Sequence, residues 1–531
     1  MKQIKQRFWA LTLSVAMLFS VWVPTTASAA APVEDLDGMH VQVMATSDVH
    51  GAILATDYST HGTTSGGLTR VATKVKALRE ANPNSLLIDV GDTIQGTPLT
   101  YYHAFEVSEE VDPAIKALRL MGYDAWVLGN HEFNYGLDIL TRQMDQAKAP
   151  SSGDESHVPV LAANFVQEGT EWEPWEGNEA YIVKEFEDTE TGTTVKVGVL
   201  GVDTPNIPQW EKAENYEGID FRNFVPTYEH YIDIMKEEEG CDVIVVAAHA
   251  GVESEHSEDG AHPENSENQV RALIENTTGI DLVFSGHLHI SNANATVTNK
   301  EGKEIPVVSP GTKANGLAYV DLVVNPDAAE GEKVTVASKE IISMRGVEED
   351  AELKAALQPY EDRTWEYLEQ PLGTATGDFS SKDLALVPSA FMDLVNKVQI
   401  EATGAQLSIC APLTSGGGEN LIPKGDISLG LMYRLYKYEN WLYSVKMSVR
   451  EIKDWMEFAA TKYRVNPETG AVSGGGIYLD VLYGMDYEIH LYAPEGERIQ
   501  NMTYQGRPVS DDEIFTVAMN NYRFTGGGDY I

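Results

Sequence analysis

Five short segments of this 531-residue chain offer carboxylate, imidazole and amide side chains to a metal ion, and none of them offers a thiolate. These segments contain the side chains Asp48 and His50, then Asp92, then Asn130, His131 and Glu132, then His249, and finally His287 and His289. Such oxygen and nitrogen donors suit divalent ions such as Mn, Zn, Fe or Co without singling out one of them. Two ions about 3.5–4 Å apart can activate a water nucleophile and neutralise the charge on a phosphorus under attack. These residue types therefore predict a site for divalent metal ions, and a pair of ions there would be suited to the hydrolysis of phosphate esters.

Each candidate segment follows a short apolar run that is typical of a buried β-strand. The runs are residues 41–46, 85–90, 125–128, 241–248 and 281–285, and a further run covers 195–199. Helical periodicity between them, as in 69–80 and 112–121, predicts an α/β sandwich. In open α/β sheets, sites form in the crevice beyond the carboxyl ends of the strands. The five segments are therefore expected to meet in one place.

The order of these segments, Asp-x-His, Gly-Asp, Gly-Asn-His-Glu, His and Gly-His-x-His, resembles the calcineurin-like metallophosphoesterase family over roughly residues 40–345. Each piece alone is weak, because a single Gly-Asp pair or histidine is usually structural. The resemblance implies a four-layer α/β/β/α fold. It also implies two ligand sets. A first ion would be bound by Asp48, His50, Asp92 and His289, and a second ion by Asp92, Asn130, His249 and His287.

The same resemblance implies that His131 is not a ligand. In the family, this histidine stabilises the phosphoryl oxygens or protonates the leaving alkoxide, which suits an imidazole. The alternatives are that His131 packs in the interior or is an extra ligand. Glu132 is expected to support the ligands through hydrogen bonds.

The second half of the chain has the features of a separate, smaller α/β domain. A charged helical stretch within residues 346–370 is predicted to link it to a first domain of residues 38–345. Residues 371–531 resemble the C-terminal domain of the 5'-nucleotidase superfamily, which binds the nucleoside. The resemblance implies that Tyr438 and Tyr522 hold the base between their rings, although a tyrosine in so aromatic a stretch is otherwise a core residue. The other substrate-binding candidates are Asn420, Gly526, Gly527 and Gly528.

Departures from the 5'-nucleotidase pattern bear on the choice of substrate. Asn134 stands where those enzymes carry an aspartate that orients the catalytic histidine. The stretch 373–382 and the residues after the loop 416–418 lack the arginines that hold 5'-phosphates in that family. The segments GDTIQG, NHEFNYGLD and NNYRFTGG resemble instead the bacterial 2',3'-cyclic-nucleotide 2'-phosphodiesterase/3'-nucleotidases, except that Phe524 and Thr525 replace the usual small pair.

This resemblance implies hydrolysis of 2',3'-cyclic nucleotides to 3'-nucleotides, and of these to nucleoside and phosphate. Two alternatives stay open. One is a 5'-nucleotidase or nucleotide-sugar hydrolase; the other, of a different class, is a non-catalytic metal- and nucleotide-binding surface protein. The chain stops at Ile531, where the family's second domain continues, so we expect a fragment or a shortened natural end.

The first 29 residues have the pattern of a secretory signal peptide: three basic residues, the apolar run 8–23, and then Ala27-Ser28-Ala29. The alternative is a retained anchor, but that run has 16 residues where a membrane span needs about 20. Removing the signal takes three positive charges from a net charge of −43 and leaves −46. So acidic a surface repels nucleic-acid polymers. We therefore expect an exported protein (in the periplasm, at the cell surface or outside the cell) that acts on small nucleotides. No membrane span is expected after signal removal, and the sequence leaves the oligomeric state open.

Overall fold

The computed structural model describes residues 38–530, except 176, 189–191, 253–265, 330, 383, 385, 413–418, 437–439, 474–478, 525 and 527–529. The predicted signal peptide, Tyr438, Gly527 and Gly528 therefore lie outside the described residues. Within the part that is described, no helix combines the length and the apolar composition needed to cross a membrane.

Two six-stranded sheets form the centre of the N-terminal domain. From edge to edge, the first consists of Val334–Ser343, Gly316–Val324, Met39–Thr46, Ser85–Asp89, Ala125–Val127 and Val160–Leu161. The second consists of Ser291–Thr298, Glu304–Pro310, Leu282–Ser285, Val243–His249, Thr194–Asp203 and Tyr181–Glu187. Apolar side chains of both sheets, such as Val43, Ile88, Val199 and Val245, pack against one another between them. The central strands are mostly apolar because both of their faces are covered.

Helices cover the outer face of each sheet. On the first sheet they are Leu68–Ala81, Pro98–Phe105, Pro113–Met121, Leu137–Lys148 and Ala351–Leu368, and on the second sheet Phe224–Asp233 and Val270–Asn276. Local signals explain where such helices begin: the Asp112 carboxylate accepts from the Ala114 backbone N–H at 2.8 Å, and Pro113 takes a position where no donor is needed. The predicted four-layer α/β/β/α arrangement is confirmed.

The helix Ala351–Leu368 covers most of the predicted linker, and it packs on the first domain. It begins after Asp350, whose carboxylate accepts from the backbone N–H of Leu353 at 2.8 Å, and it continues through Pro359. Leu353 and Leu357 are buried in the core that the first sheet shares with its helices. The chain thus leaves the first domain along a packed helix, while the domain boundaries stay predictions.

The C-terminal domain is a second, smaller α/β unit. Its four-stranded sheet has the order Leu442–Ser448, Ile514–Asn520, Leu407–Cys410 and Val481–Tyr483. Helices Ala390–Thr403 and Val449–Ala460 pack on this sheet. Further elements are a three-stranded sheet of Asp486–Ile489, Ile499–Tyr504 and Arg507–Pro508, two strand pairs (Pro371–Ala375 with Gly425–Ser428, and Phe379–Ser380 with Leu421–Ile422), and the short helices Leu429–Leu435 and Asn521–Phe524.

Candidate metal centre

The seven candidate ligands lie at or just beyond the carboxyl ends of strands in the two central sheets. In the first sheet, the three strands that precede candidate ligands run parallel, and so do the two in the second sheet. Asp48 and Asp92 follow their strands by two and three residues, whereas His249 is the last residue of its strand. Since parallel strands end at the same edge, the strand order brings all five segments together.

The candidate ligand atoms form two overlapping groups that share Asp92. In the first group the ligand atoms, which lie within 4.8 Å of one another, belong to Asp48, His50, Asp92 and His289. In the second group the same spacing holds for Asp92, His249 and His287. The first group has the four members that the family resemblance implies, the second has three of its four implied members, and Asp92 belongs to both groups.

The distances between donor atoms within each group match those between the ligands of a single metal ion. The Nε2 atoms of His50 and His289 are 2.9 Å apart, and Nε2 of His249 is 3.1 Å from Oδ2 of Asp92. Nε2 of His289 is 3.4 Å from Oδ1 of Asp48. Donor atoms that each lie about 2.1 Å from one ion are about 3–3.5 Å from one another. Each group is therefore compact enough to bind one ion.

Burial and charge at the two groups fit cations. Asp48 and Asp92 are both almost fully buried, and a buried carboxylate requires a positive charge or hydrogen bonds nearby. Burial raises the pKa of Asp48 to about 7 and lowers the pKa of His50 to about 3, so the His50 ring is neutral and has a lone pair to offer. Nε2 of His249 is buried and faces Oδ2 of Asp92 at 3.1 Å, without a regular hydrogen bond to any of the described residues. The donor set and this facing pair of donor atoms both fit divalent metal ions.

The backbone at five candidate ligands adopts a left-handed conformation that non-glycine residues avoid. Their φ angles lie between 47° and 73°, and the residues are Asp48, His50, Asp92, His287 and His289. Each such residue costs roughly 1–3 kcal/mol, and residues of this kind cluster at functional sites. Gly91, at φ 90°, is needed for the same packing, because a side chain there would collide with the His249 ring. This clustering of strained residues supports this edge of the sheets as the candidate site, independently of the residue types.

Neighbouring groups orient two of the histidines. Nδ1 of His249 lies 2.6 Å from the Val90 carbonyl oxygen, so it donates its proton there and Nε2 is available to a metal ion. Nε2 of His287 lies 2.7 Å from Oε1 of Glu267, which leaves Nδ1 facing the Asn130 amide oxygen at 2.9 Å. Asn130 thereby joins the second ligand group. No sequence motif marks Glu267, which we did not predict.

Glu132 is fully buried and holds the loop that carries Asp92. Its carboxylate accepts from the backbone N–H groups of Asp92, Thr93 and Gly129 at distances of 2.6–2.8 Å. This position matches the supporting role expected of it.

His131 lies beside the two groups. Its ring centroid is 5.2 Å from that of His50, and neither of the ligand groups formed by the described residues includes it. Nδ1 of His131 is 2.7 Å from Oδ1 of Asn134, and Nδ2 of Asn134 donates to the Glu211 carboxylate. Sequence reasoning missed Glu211; the available signal was an acidic residue directly after the short helix Ile207–Trp210, which follows the strand Thr194–Asp203.

The described substrate-binding candidates lie in the C-terminal domain. The Tyr522 side chain is 51% exposed, so it is not a core residue. Next to it, buried Arg523 donates from Nε to Oδ1 of Asp480 at 3.0 Å and so anchors the short helix. Gly526 follows with a φ of 90°. Asn420 is buried, and its side-chain oxygen has no hydrogen-bond partner among the described residues.

Comparisons with known proteins agree with this geometry. The family model for calcineurin-like phosphoesterases matches residues 41–291, and that for the 5'-nucleotidase C-terminal domain matches residues 371–531. The chain is 31% identical to the 2',3'-cyclic-nucleotide 2'-phosphodiesterase/3'-nucleotidase of Haemophilus influenzae, over 92% of this chain and 81% of that protein. It is also 31% identical to the trifunctional nucleotide phosphoesterase protein YfkN of Bacillus subtilis over 98% of this chain, but it spans only 38% of that longer relative. A crystal structure of a candidate 5'-nucleotidase from Staphylococcus aureus, in complex with alpha-ketoglutarate, superposes with a TM-score of 0.72 at 26% identity, over 93% of this chain and 92% of that one.

Proposed function

Because this chain belongs to the family of calcineurin-like phosphoesterases that carry a 5'-nucleotidase C-terminal domain, we propose that it hydrolyses 2',3'-cyclic nucleotides to 3'-nucleotides and then to nucleoside and phosphate. Membership makes the chain a metal-dependent phosphoric ester hydrolase. The observation that carries the proposed hydrolysis of phosphate esters is the pair of ligand groups that share Asp92, with His131 beside them.

The two ligand groups would hold two divalent ions, with Asp92 between them. The first ion would be held by Asp48, His50 and His289, and the second by Asn130, His249 and His287. Bound there, divalent ions supply positive charge next to the phosphoryl oxygens and a reactive water at neutral pH. Asp48, Asp92 and His249 are buried, so their lone pairs are not shared with solvent, whereas His289 lies at the open side of the site with its side chain 48% exposed.

His131 is proposed to protonate the leaving oxygen of the sugar. Its Nδ1 is engaged by Asn134, so Nε2 is the ring nitrogen available to a substrate. The 2' oxygen needs a proton when the cyclic ester opens, and the 3' oxygen needs one when the monoester is cleaved. Imidazole is the commonest side chain for such proton transfer near neutral pH.

Nucleotide recognition is proposed for the C-terminal domain. Exposed Tyr522 would stack on one face of the base and Tyr438 on the other, with Asn420 and the glycines Gly526, Gly527 and Gly528 beside them. Such stacking contributes roughly 1–3 kcal/mol per base and accepts different bases. The names of the Haemophilus and Bacillus relatives support nucleotide esters as the substrate class. The preference for 2',3'-cyclic and 3'-esters is supported by Asn134 and by the lack of arginine in residues 373–382.

Export is a further part of the proposal. The pattern of residues 1–29 supports a signal peptide, and a mature charge of −46 supports small nucleotides rather than polymers as substrates. We propose domain bounds of 38–345 and 371–531, with 346–370 between them.

The decisive experiment compares turnover of 2',3'-cAMP, 3'-AMP and 5'-AMP by the purified protein with Mn²⁺. We expect kcat/KM for the first two to exceed that for 5'-AMP at least about tenfold, a ratio that one lost polar contact can produce. Rapid hydrolysis of 5'-AMP alone would instead support a 5'-nucleotidase, the candidate favoured by the likeness to the Staphylococcus structure. Absence of any hydrolysis would support a metal- and nucleotide-binding surface protein.

A further inference from the structure

The Asn134 side chain connects His131 to a carboxylate that lies outside every sequence motif. His131 Nδ1 is 2.7 Å from Oδ1 of Asn134, and Nδ2 of Asn134 donates to Oε1 of Glu211. The second oxygen of Glu211 accepts from Nδ2 of Asn215 at 2.7 Å. His131 and Asn134 belong to the turn after a strand of the first sheet, whereas Glu211 and Asn215 follow a strand of the second. The packing of the two sheets therefore creates the connection.

The directions of these hydrogen bonds follow from the carboxylate. An ionised carboxylate has acceptors only, so both amides must present their nitrogens to Glu211. Asn134 must then present its oxygen to His131. A carbonyl oxygen also accepts only, so Nδ1 of His131 must carry a proton and donate it to Asn134.

Without the Glu211 carboxylate, no charged acceptor would fix the orientation of the Asn134 amide. The two ends of an amide have nearly the same shape, so Asn134 could rotate and offer its nitrogen to the histidine ring. His131 would then accept at Nδ1 and carry its proton on Nε2. The group facing the substrate would be the other tautomer, or the ring would turn away from its present position.

We propose that Glu211 is a positioning residue that acts through Asn134 to keep the proton of His131 on Nδ1 and Nε2 available to the leaving oxygen. The Asn134 oxygen accepts from Nδ1 both in the neutral ring and in the doubly protonated ring. His131 can therefore take up and release a proton at Nε2 without any rearrangement of its partner. This inference rests on the proposed role of His131 in catalysis.

The same arrangement explains how Asn134 can replace the aspartate of the 5'-nucleotidases. An aspartate at this position would both orient the ring and place a negative charge in contact with it. The pair of Asn134 and Glu211 keeps the orientation and moves the charge one residue further from the ring. Asn134 is therefore an intermediate link, and the sequence alone made it look like a lost partner.

The first test uses two substitutions of Glu211 and a matched control. E211A removes the hydrogen-bond acceptor of Asn134, whereas E211Q keeps an oxygen for it. The control, E214A, removes an exposed carboxylate of the same segment that forms an ion pair with Lys212. We expect E211A to lower kcat for 2',3'-cAMP about 10- to 100-fold at nearly constant KM, within the range of general-acid contributions. E211Q should recover most of this loss, and E214A should resemble the wild type. Thermal unfolding of each variant checks that the fold is intact.

A leaving-group comparison separates this role from a structural one. p-Nitrophenolate leaves without a proton, so hydrolysis of a p-nitrophenyl phosphate ester should fall less than about threefold in E211A, because proton donation contributes little to that reaction. A misfolded or metal-poor site would lose both substrates equally. Equal losses on the two substrates, or a loss that E211Q does not recover, would overturn the inference.

A double substitution provides the sharpest check. N134D places two carboxylates against each other and breaks the connection, whereas N134D/E211Q lets the new glutamine amide donate to the new aspartate. Adding E211Q should therefore raise the activity of N134D at least about tenfold, although E211Q alone does not raise that of the wild type. Independent, additive effects of the two substitutions would contradict the proposal.

Turnover of 2',3'-cAMP by the wild type, measured in the same series, tests the proposed function separately. An inactive wild type would refute that function. An active wild type together with an E211A variant of unchanged activity would refute only the role of Glu211.

Discussion

Replacing His131 by alanine should separate proton transfer from metal binding. The His131 ring lies beside the ligand groups, and the hydrogen bond from its backbone N–H to Oδ1 of Asp92 (2.8 Å) does not need the side chain. All the donor atoms of both groups therefore remain in H131A. Loss of a general acid lowers kcat about 100- to 10,000-fold, which corresponds to about 3–5 kcal/mol in the activation free energy.

The assay for H131A measures metal content and turnover on the same preparation. Metal content per chain is determined by mass spectrometry after gel filtration, and kcat is determined with 2',3'-cAMP. The matched variant is H287A, which removes a donor of the second group and should lose metal as well as activity. If H131A loses metal to the same extent as H287A, then His131 is a ligand and the assignment of the acid is wrong.

Three other predictions concern the shared ligand, the base and a buried carboxyl group. D92A should lose both metal ions, because Asp92 belongs to both groups, whereas H289A should lose one; metal analysis distinguishes the two results. Y522A should raise KM for 2',3'-cAMP about 5- to 150-fold, equivalent to one stacked base, while Y492A, a substitution of a more exposed tyrosine of the same domain, should not. Burial raises the pKa of Asp112 to about 6, compared with about 4 in the unfolded chain. The neutral Asp112 carboxyl therefore stabilises the fold fully below about pH 4. As the pH rises through about 6, up to about 3 kcal/mol of this stabilisation is lost. The melting temperature of D112N should accordingly rise relative to the wild type between pH 4 and pH 7, and a constant difference would contradict this.

The α/β character of the N-terminal half and the meeting of the five segments could be predicted from local rules, whereas the four-layer arrangement and the two ligand groups were implied by the family resemblance. Each candidate ligand lies at or just after the end of a buried strand. Parallel strands bring their carboxyl ends to one edge of the sheet, whatever the length and conformation of the segments that connect them. Asp92 and His249 therefore meet although more than a hundred residues separate them.

The residues that orient the candidate ligands could not be predicted in the same way. Glu211 and Glu267 lie in irregular segments, and their contacts depend on how two sheets pack rather than on spacing along the chain. Asn134 was interpreted as a missing partner because a sequence shows a substitution but not the neighbour that compensates for it. Likewise, the charged composition of the stretch before residue 371 predicted a helical linker but did not show that Leu353 and Leu357 of its helix pack into the first domain's core.

The central claim, a two-ion centre with a shared carboxylate that cleaves nucleotide esters, is tested most directly by titrating metal-stripped protein with Mn²⁺. Heat of binding and hydrolysis of 2',3'-cAMP are followed in parallel as ions are added. We predict two ions per chain, with activity that appears as the second ion binds. Full activity with one ion per chain, or without any added ion, would contradict the account.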